Sequence, residues 1–267
     1  MAERRLLRTG YLGRVPYAAA EALQLRLREA LLSGEGADHL LLLEHPSVFT
    51  LGRNARAIDV VADQEWLQRR GVSVHESDRG GQATYHGPGQ LVGYPIVDLK
   101  PDRRDVRRYV RDLEEVLVRT LADYGIQGEP ALSPRPVGVW VGPRKIASLG
   151  IHLRHWVTTH GFALNVTTDL SFFGGIVACG MPGAPMTSIE ELAGQAPGLD
   201  EVAARVAGHF CEVFERTAAP IAEADLAGIA GTAASGKSGH PGGTQTPVAT
   251  PDTEPRGTGA RRLEDPE

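Results

Sequence analysis

Apolar positions recur at helical spacing in three stretches. Between residues 17 and 33, just past Pro16, Ala19, Leu23, Leu27, Ala30 and Leu31 form one stripe, and Gly34 offers a stop. A second predicted helix spans 103–124. It carries Val106, Tyr109, Val110, Leu113, Val116, Leu117, Leu121 and Tyr124 at spacings of three and four, with Asp102 as N-cap and Gly125 as its end. A third spans 200–217, capped by Asp200, with Val202, Val206, Phe210, Val213 and Phe214 inward. A short helix is expected near 63–70. Strand-like runs lie at 39–43 and 47–51, on either side of Pro46, and at 72–75, 91–97, 137–141, 146–153 and 158–166. Gly142-Pro143 separates two of these runs as a hairpin turn. Strands paired locally with a few helices between them predict an α+β fold: a mixed, mostly antiparallel sheet with flanking helices.

The pattern stops near residue 220. From Gly231 to Glu267 there are seven Gly and five Pro, no aromatic residue, and only Val248 and Leu263 as larger aliphatics. Such a segment buries too little apolar surface to offset the entropy of ordering it. We therefore expect a folded body at 1–220 and a disordered Gly/Pro/Thr-rich tail at 221–267. The longest aliphatic run is Leu40–Leu43, far short of the ~20 residues a membrane span needs. Arg4, Arg5 and Arg8 are followed by no apolar h-region, so no secretory signal is expected. The net charge of −5 argues against nucleic-acid binding as the main task. Two cysteines make no disulfide framework, which fits a cytoplasmic protein with free thiols.

Three stretches stand out chemically. Residues 79–90, RGGQATYHGPGQ, hold four Gly, one Pro, one Arg and one His. That is costly in backbone entropy, and suits a loop whose bare backbone approaches a ligand better than a surface turn. Arg79 is expected to meet an anion or to anchor the loop to a carboxylate. His86 reads as a loop brace, with a general base as the alternative. Lys145 opens a strand and shares a face with Ala147 and Leu149, an unusual place for an ammonium. Cys179 lies in a Gly- and Pro-rich connection, where backbone N–H groups can lower a thiol pKa and bind an oxyanion. Cys211, inside the third helix beside Phe210 and Phe214, reads as packing.

Other signals fail. Residues 231–238 match GxxxxGK[ST], with Lys237 in the lysine position, but no helix can follow through Gly239-His240-Pro241. His152 and His155, three apart on a strand, point to opposite faces and suggest no metal pair. The sequon at Asn165 has no secretory context.

Taken together these stretches resemble the octanoyltransferases of lipoate biosynthesis. Four blocks occur in the family's order: RGGQATYHGPGQLVGYP from Arg79, KIASLG from Lys145, HGFALNVTTDLSFF from His160 and IVACG from Ile176. Ala178 stands where the family usually has Pro. The resemblance implies the fold of the biotin and lipoate protein ligase catalytic domain, an acyl-thioester nucleophile at Cys179 and a partner lysine at Lys145. It also implies an acyl chain lined by Arg79, Gly80, Gly81, Gln82, Ala83, Thr84, Tyr85 and His86, by Ser148, Leu149 and Gly150, and by Gly161, Phe162 and Ala163. The implied donor is octanoyl-acyl carrier protein. The implied acceptors are lipoyl domains of 2-oxoacid dehydrogenase complexes and the glycine cleavage H protein. No cofactor, metal, nucleic acid or membrane is implied.

An acidic carrier meeting a chain of net negative charge calls for a local basic patch, with Arg53 and Arg56, or Arg103, Arg104 and Arg107, as candidates. The alternatives are an ATP-dependent lipoate or biotin ligase, a Cys-His thioesterase using His86 or His160, and an acyl- or lipoyl-domain-binding module without chemistry. The composition of the tail yields a direct expectation. A chain ending at Ala230 should fold and transfer octanoate as the full chain does. Activity lost on truncation, or on changing Lys237 alone, would show that the tail participates.

Overall fold

Four consecutive leucines, Leu40–Leu43, lie in a strand with both faces covered. Burial on both sides is why this run shows no alternation of polar and apolar residues. The structure, a computed structural model, describes residues 4–101, 103–181, 183–195 and 197–227, and of Cys179 the main chain. In chain order the elements are β1 (Arg5–Arg14), α1 (Tyr17–Ser33), β2 (Asp38–Glu44), β3 (Val48–Leu51), α2 (Gln64–Arg70), β4 (Ser73–Glu76), β5 (Ala83–His86) and β6 (Gln90–Ile96). There follow α3 (Val106–Ala122), β7 (Glu129–Pro130), β8 (Gly138–Val141), β9 (Arg144–Arg154), β10 (Val157–Asn165), α4 (Ile189–Ala193), α5 (Leu199–Val213) and β11 (Arg216–Pro220). Short 3-10 turns at Leu170–Gly175 and Ala178–Gly180 connect β10 to α4.

The main sheet runs β11-β1-β2-β6-β10-β9-β8-β7. Only the pairs of β1 with β11 and β2 are parallel, so the sheet is mixed and mostly antiparallel, as expected. Leu40 and Leu42 face the core formed with Leu113 and Leu117 of α3 and Val206 and Phe210 of α5. Leu41 and Leu43 face the opposite side, against Ala20, Leu23 and Leu27 of α1. A smaller sheet, β4-β3-β5, covers a third core around Phe49, Tyr85 and Phe173.

The predicted helices hold, with shifted ends. α1 coincides with its prediction, and Gly34 closes it in the left-handed region at φ 80°. α3 starts at Val106, because the Asp105 carboxylate accepts from the N–H groups of Arg107 and Arg108. Asp102, the expected cap, lies outside the described residues. α5 is capped at Gly198, and Asp200 sits in its first turn, where an acid suits the helix dipole. α5 also ends earlier than predicted. Arg216 leaves it to begin β11, donating to Asp38 Oδ2 at 3.0 Å and, through Nη1, to the carbonyl of Phe214 at 2.8 Å.

Four strands lie outside the predicted runs, among them the two-residue β7. β1 and β11 lack alternation, and β5 lies inside the stretch taken for a loop. All four β5 residues are buried. The body also extends past residue 220. Ile221 and Leu226 pack on the α1 side of the sheet, and Asp225 pairs with Arg8 and with His39. The proposed disorder from residue 228 onward and the Lys237 motif lie outside the described residues.

Asp38 ties these edges together. Its carboxylate accepts from Arg216, from Arg5 at 3.0 Å and from the Asp98 N–H at 2.9 Å, and the residue is 2% exposed. Removing one partner of a buried ion pair leaves the other charge without its counter-ion, at about 3–5 kcal/mol. Asp38→Ala should lower the urea midpoint by that order. A shift below about 1 kcal/mol would mean that water replaces the carboxylate.

Candidate active site

Lys145 is the second residue of β9 and is 1% exposed. Main-chain bonds pin it on both sides: its N–H donates to Pro185 O at 2.8 Å, and its carbonyl accepts from the Thr187 N–H at 3.0 Å. These bonds lay the segment that follows the Ala178–Gly180 turn alongside the start of β9. Nζ lies 5.8 Å from the centre of the Trp140 ring, and Gly138 of β8 packs against the methylenes next to it. From α3, Glu114 is 5% exposed and accepts the Gly138 N–H at 3.2 Å. Burial raises the Glu114 pKa, while the Gly138 bond and the nearby Lys145 charge oppose that rise. Glu114 and Lys145 are thus buried near each other, at the strand end that is bonded to residues 185–187.

A cavity opens further along β9, and Lys145 and Glu114 are not among its lining residues. Its lining includes Ser148, Leu149 and Gly150 of β9, Gly161, Phe162 and Ala163 of β10, Ala83, Thr84 and His86 of β5, and Arg79, Gly81 and Gln82 of the loop before β5. Register explains why distant blocks meet. Gly161 pairs with Gly150, Phe162 with Leu149 and Ala163 with Ser148 across the β9–β10 ladder. The loop lies on β9 through the Gly80 N–H, which donates to Ile151 O at 2.9 Å. A methyl group on Gly150 would come 2.9 Å from Gly80 O, so the approach requires glycine. The Gln82 carboxamide packs against Gly180, beside Cys179.

Twelve of the fourteen lining residues expected from the sequence meet in this cavity; Gly80 and Tyr85 do not. Gly80 borders an adjoining groove. Tyr85 points to the opposite face of β5 and stacks on Phe172 with ring centres 4.8 Å apart. Arg79 anchors the loop to Thr50. Nε donates to Thr50 Oγ1 at 3.1 Å, and Nη2 to Thr50 O at 2.6 Å. His86 braces the loop. Gln90 Nε2 donates to Tyr85 O and to Asn165 Oδ1, which leaves Gln90 Oε1 to accept from His86 Nδ1 at 2.7 Å. Cys211 is half-buried on α5 in the main core, and burial pushes its thiol pKa up.

The sequence reading missed Tyr17, Tyr94 and His160, which close the far end of the cavity. His160 had been weighed only as a thioesterase base. Its Nε2 bonds Asp78 Oδ1 at 2.6 Å, and its backbone holds φ 57°, fixed by its N–H donating to Gln24 Oε1 at 2.7 Å. His152 Nδ1 lies 2.7 Å from the other Asp78 oxygen. The two histidines hold the Asp78 pKa down to about 2, the His160 bond foremost. Among the described residues, Glu21, Asp78 and His160 are one group whose ligating atoms come within 4.8 Å of one another. Glu114 was also missed, though the pattern held a signal. It follows Val110 by four and precedes Leu117 by three, so it is an acid on an apolar stripe.

Residues 16–211 match the lipoyl protein ligase A/B catalytic domain. The chain belongs to that family. It is 52% identical over 204 residues to an octanoyltransferase of Solibacter usitatus, covering 76% of this chain and 91% of that one. It is 50% identical over 204 residues to an octanoyltransferase of Rubrobacter xylanophilus, covering 76% and 90%. Among solved structures, lipoate-protein ligase A bound with ATP superposes with a TM-score of 0.66 at 20% identity, covering 86% of this chain and 93% of that one. A bi-partite lipoate protein ligase from Thermoplasma acidophilum, described with its E2 lipoyl domain, superposes at 0.65 and 20% identity, covering 86% and 91%. These two share the fold. No helix among the described residues is long and apolar enough to cross a membrane.

Burial keeps two histidines of this family member, His45 and His86, neutral near neutral pH. Burial lowers the His45 pKa to about 4; Nδ1 donates to Val15 O at 2.6 Å, so Nε2 accepts the Tyr94 hydroxyl at 2.8 Å. Burial, then the neighbouring His45 and Arg79, push His86 well below 6.5. Between about 6.5 and those lower values the unfolded chain binds protons that the folded chain does not. Stability should therefore fall as pH falls from about 7 to about 5, by up to about 1.4 kcal/mol per pH unit for each histidine. Urea midpoints at the two pH values check this. A midpoint unchanged or higher at the lower pH would contradict it.

Proposed function

We propose that this protein is an octanoyltransferase that carries an octanoyl group from acyl carrier protein to a lysine of lipoyl domains, through a thioester on Cys179. The observation that carries the reading is identity near 50% to octanoyltransferases over nine-tenths of their length, in a chain that buries Lys145 at the start of the strand whose residues 148–150 line a mostly apolar cavity. The lipoate ligases share the fold at 20% identity, which favours neither ligation nor transfer.

In the first half-reaction the Cys179 thiolate attacks the carrier's thioester carbonyl. The carbon–sulfur bond to the carrier breaks, and the carrier thiolate leaves and takes up a proton. An ordinary cysteine, with a pKa of about 8.5, is a few per cent ionised at neutral pH. A protonated Lys145 favours the anion, and the Glu114 carboxylate favours the protonated lysine. Gln82, against Gly180, is placed to donate to the tetrahedral oxyanion, together with main-chain N–H groups of the turn. In the second half-reaction the acceptor amine attacks the Cys179 thioester, neutral Lys145 takes the amine proton, and the thiolate leaves. The thioester carries the activation, so the reading includes neither ATP nor metal. The lipoyl domains of 2-oxoacid dehydrogenases and the glycine cleavage H protein are the acceptors this reading names.

Lys145→Arg separates the two roles of the lysine. Arginine keeps the charge but cannot become neutral at working pH. With octanoyl-carrier, EDTA and no ATP, the arginine variant should acylate Cys179 and then stall with acyl-enzyme accumulated. Cys179→Ala should form none, and Cys211→Ala should acylate normally. Rapid-quench intact-mass measurement, with and without lipoyl domain, reads all three. Transfer at a native rate by the arginine variant would reduce Lys145 to an electrostatic role. Acyl-enzyme in the Cys179→Ala variant would overturn the mechanism.

A further inference from the structure

We infer that the arginine-rich first half of α3, with the groove beside it, is the docking surface for the donor: an acidic carrier protein whose thioester rides on a long, uncharged arm. This rests on the octanoyl-transfer reading above. Arg104, Arg107, Arg108 and Arg111 are all exposed within eight residues. Asp105 within this run and Asp112 just past it face other partners. Asp105 caps the helix, and Asp112 binds the buried Arg103, with Arg108 3.8 Å away. Arg104, Arg107 and Arg111 form no ion pair among the described residues. This concentration of positive charge stands out on a chain of net charge −5.

Its position is also unfavourable for folding. Arg107 and Arg108 lie in the first turn of α3, at the positive end of the helix dipole, where a cation is disfavoured. A helix selected for stability alone would carry acids there. An acidic partner gives the arginines a use outside the fold and cancels that cost when it binds.

The surface leads into the active site. Val106 and Val137, 42% and 49% exposed, flank the arginines with apolar surface. A groove lined by Val110, Pro136, Val137, Gly80 and Ile151 starts here and shares Gly81, Gln82, Leu149 and Gly150 with the cavity. Val110 and Glu114 are four residues apart, on one face of α3. From Arg107 to Glu114, beside Lys145, the helix rises about 10 Å. An arm attached to a protein seated on the arginines therefore runs along Val110 toward Lys145. The groove contains no charged lining residue, which suits an amide- and methylene-rich arm. Of the other basic candidates, Arg103 is turned inward, donating to Val213 O at 2.7 Å, and Arg56 faces Asp59 at 3.7 Å.

The test is the triple variant Arg104→Glu, Arg107→Glu, Arg111→Glu in the full chain, with each half-reaction measured separately. With octanoyl-carrier, KM for Cys179 acylation should rise at least tenfold, and its dependence on salt should flatten. With octanoyl-N-acetylcysteamine, which has the arm's end but no protein, acylation should stay at the wild-type rate, which also reports correct folding. Transfer from preformed acyl-enzyme to lipoyl domain should be unchanged. An unchanged KM for octanoyl-carrier overturns the proposal. So does a defect confined to the second half-reaction, which would assign the patch to the acceptor. Failure of wild-type Cys179 to take octanoate from either thioester would instead sink the octanoyl-transfer reading itself.

Discussion

Burying the Lys145 ammonium is the constraint around which the active-site half of the molecule is arranged. An ion of this size taken from water loses several kcal/mol unless charges and dipoles replace its hydration. Three elements supply them: Glu114 from α3, the Trp140 ring from β8, and the chain around residues 185–187, bonded to both sides of Lys145. The same contacts do the topological work. They return the chain after the Ala178–Gly180 turn to the start of β9, so residues 34 apart in sequence, Lys145 and Cys179, lie on segments joined by main-chain hydrogen bonds. Ala178 is 2% exposed and belongs to the small core with Phe49 and Tyr85. A small apolar side chain therefore fills the position where the resemblance leads one to expect proline.

The cavity depends on a second close contact. The loop of residues 79–82 rests on β9 with main chain against main chain: a Cβ at 150 would come 2.9 Å from Gly80 O, and one at 80 would press on Ile151 O at 3.1 Å. Glycine alone would leave such a loop mobile. Arg79 offsets that by binding Thr50 through two nitrogens, and Asp78 by engaging His160 and His152. Rigidity and bare backbone are thus supplied by alternate residues of one segment.

Much of this was legible in the sequence, and the reasons differ by element. Helical stripes identified α1, α3 and α5, because each buries one face. The specific Gly-rich and cysteine blocks pointed to the catalytic pair and to most of the cavity lining. β1 and β11 were missed since neither alternates, β11 is a short parallel edge strand laid on β1, and their positions depend on Asp38 contacts far apart in sequence. β5 was missed because its buried residues, Ala83-Thr84-Tyr85-His86, carry no aliphatic alternation and sit among glycines. Tyr17 has no local signal at all; only folding brings the start of α1 to the cavity's far end. Glu114 did have one, since a carboxylate on an apolar stripe must meet a partner.

The far end of the cavity is polar in composition, yet burial holds Tyr17, Tyr94, His45 and His86 neutral near neutral pH. Burial raises the Tyr17 hydroxyl pKa to about 12 and the Tyr94 hydroxyl well above 10, while His45 falls to about 4 and His86 well below 6.5. Each group is uncharged near neutral pH and spends a polar atom on a neighbour: Tyr17 on Ser77 at 2.8 Å, Tyr94 on His45, and His86 on Gln90. The Arg79 guanidinium donates to Thr50 and to Gly80 O. The lining also includes Leu149, Phe162, Ala163 and the main chain of Gly150 and Gly161. Lys145 and Glu114 are buried outside that lining. Burial thus acts at two separate places in the fold: it sets a lysine near a carboxyl group at one, and it keeps Tyr17, Tyr94, His45 and His86 uncharged at the other.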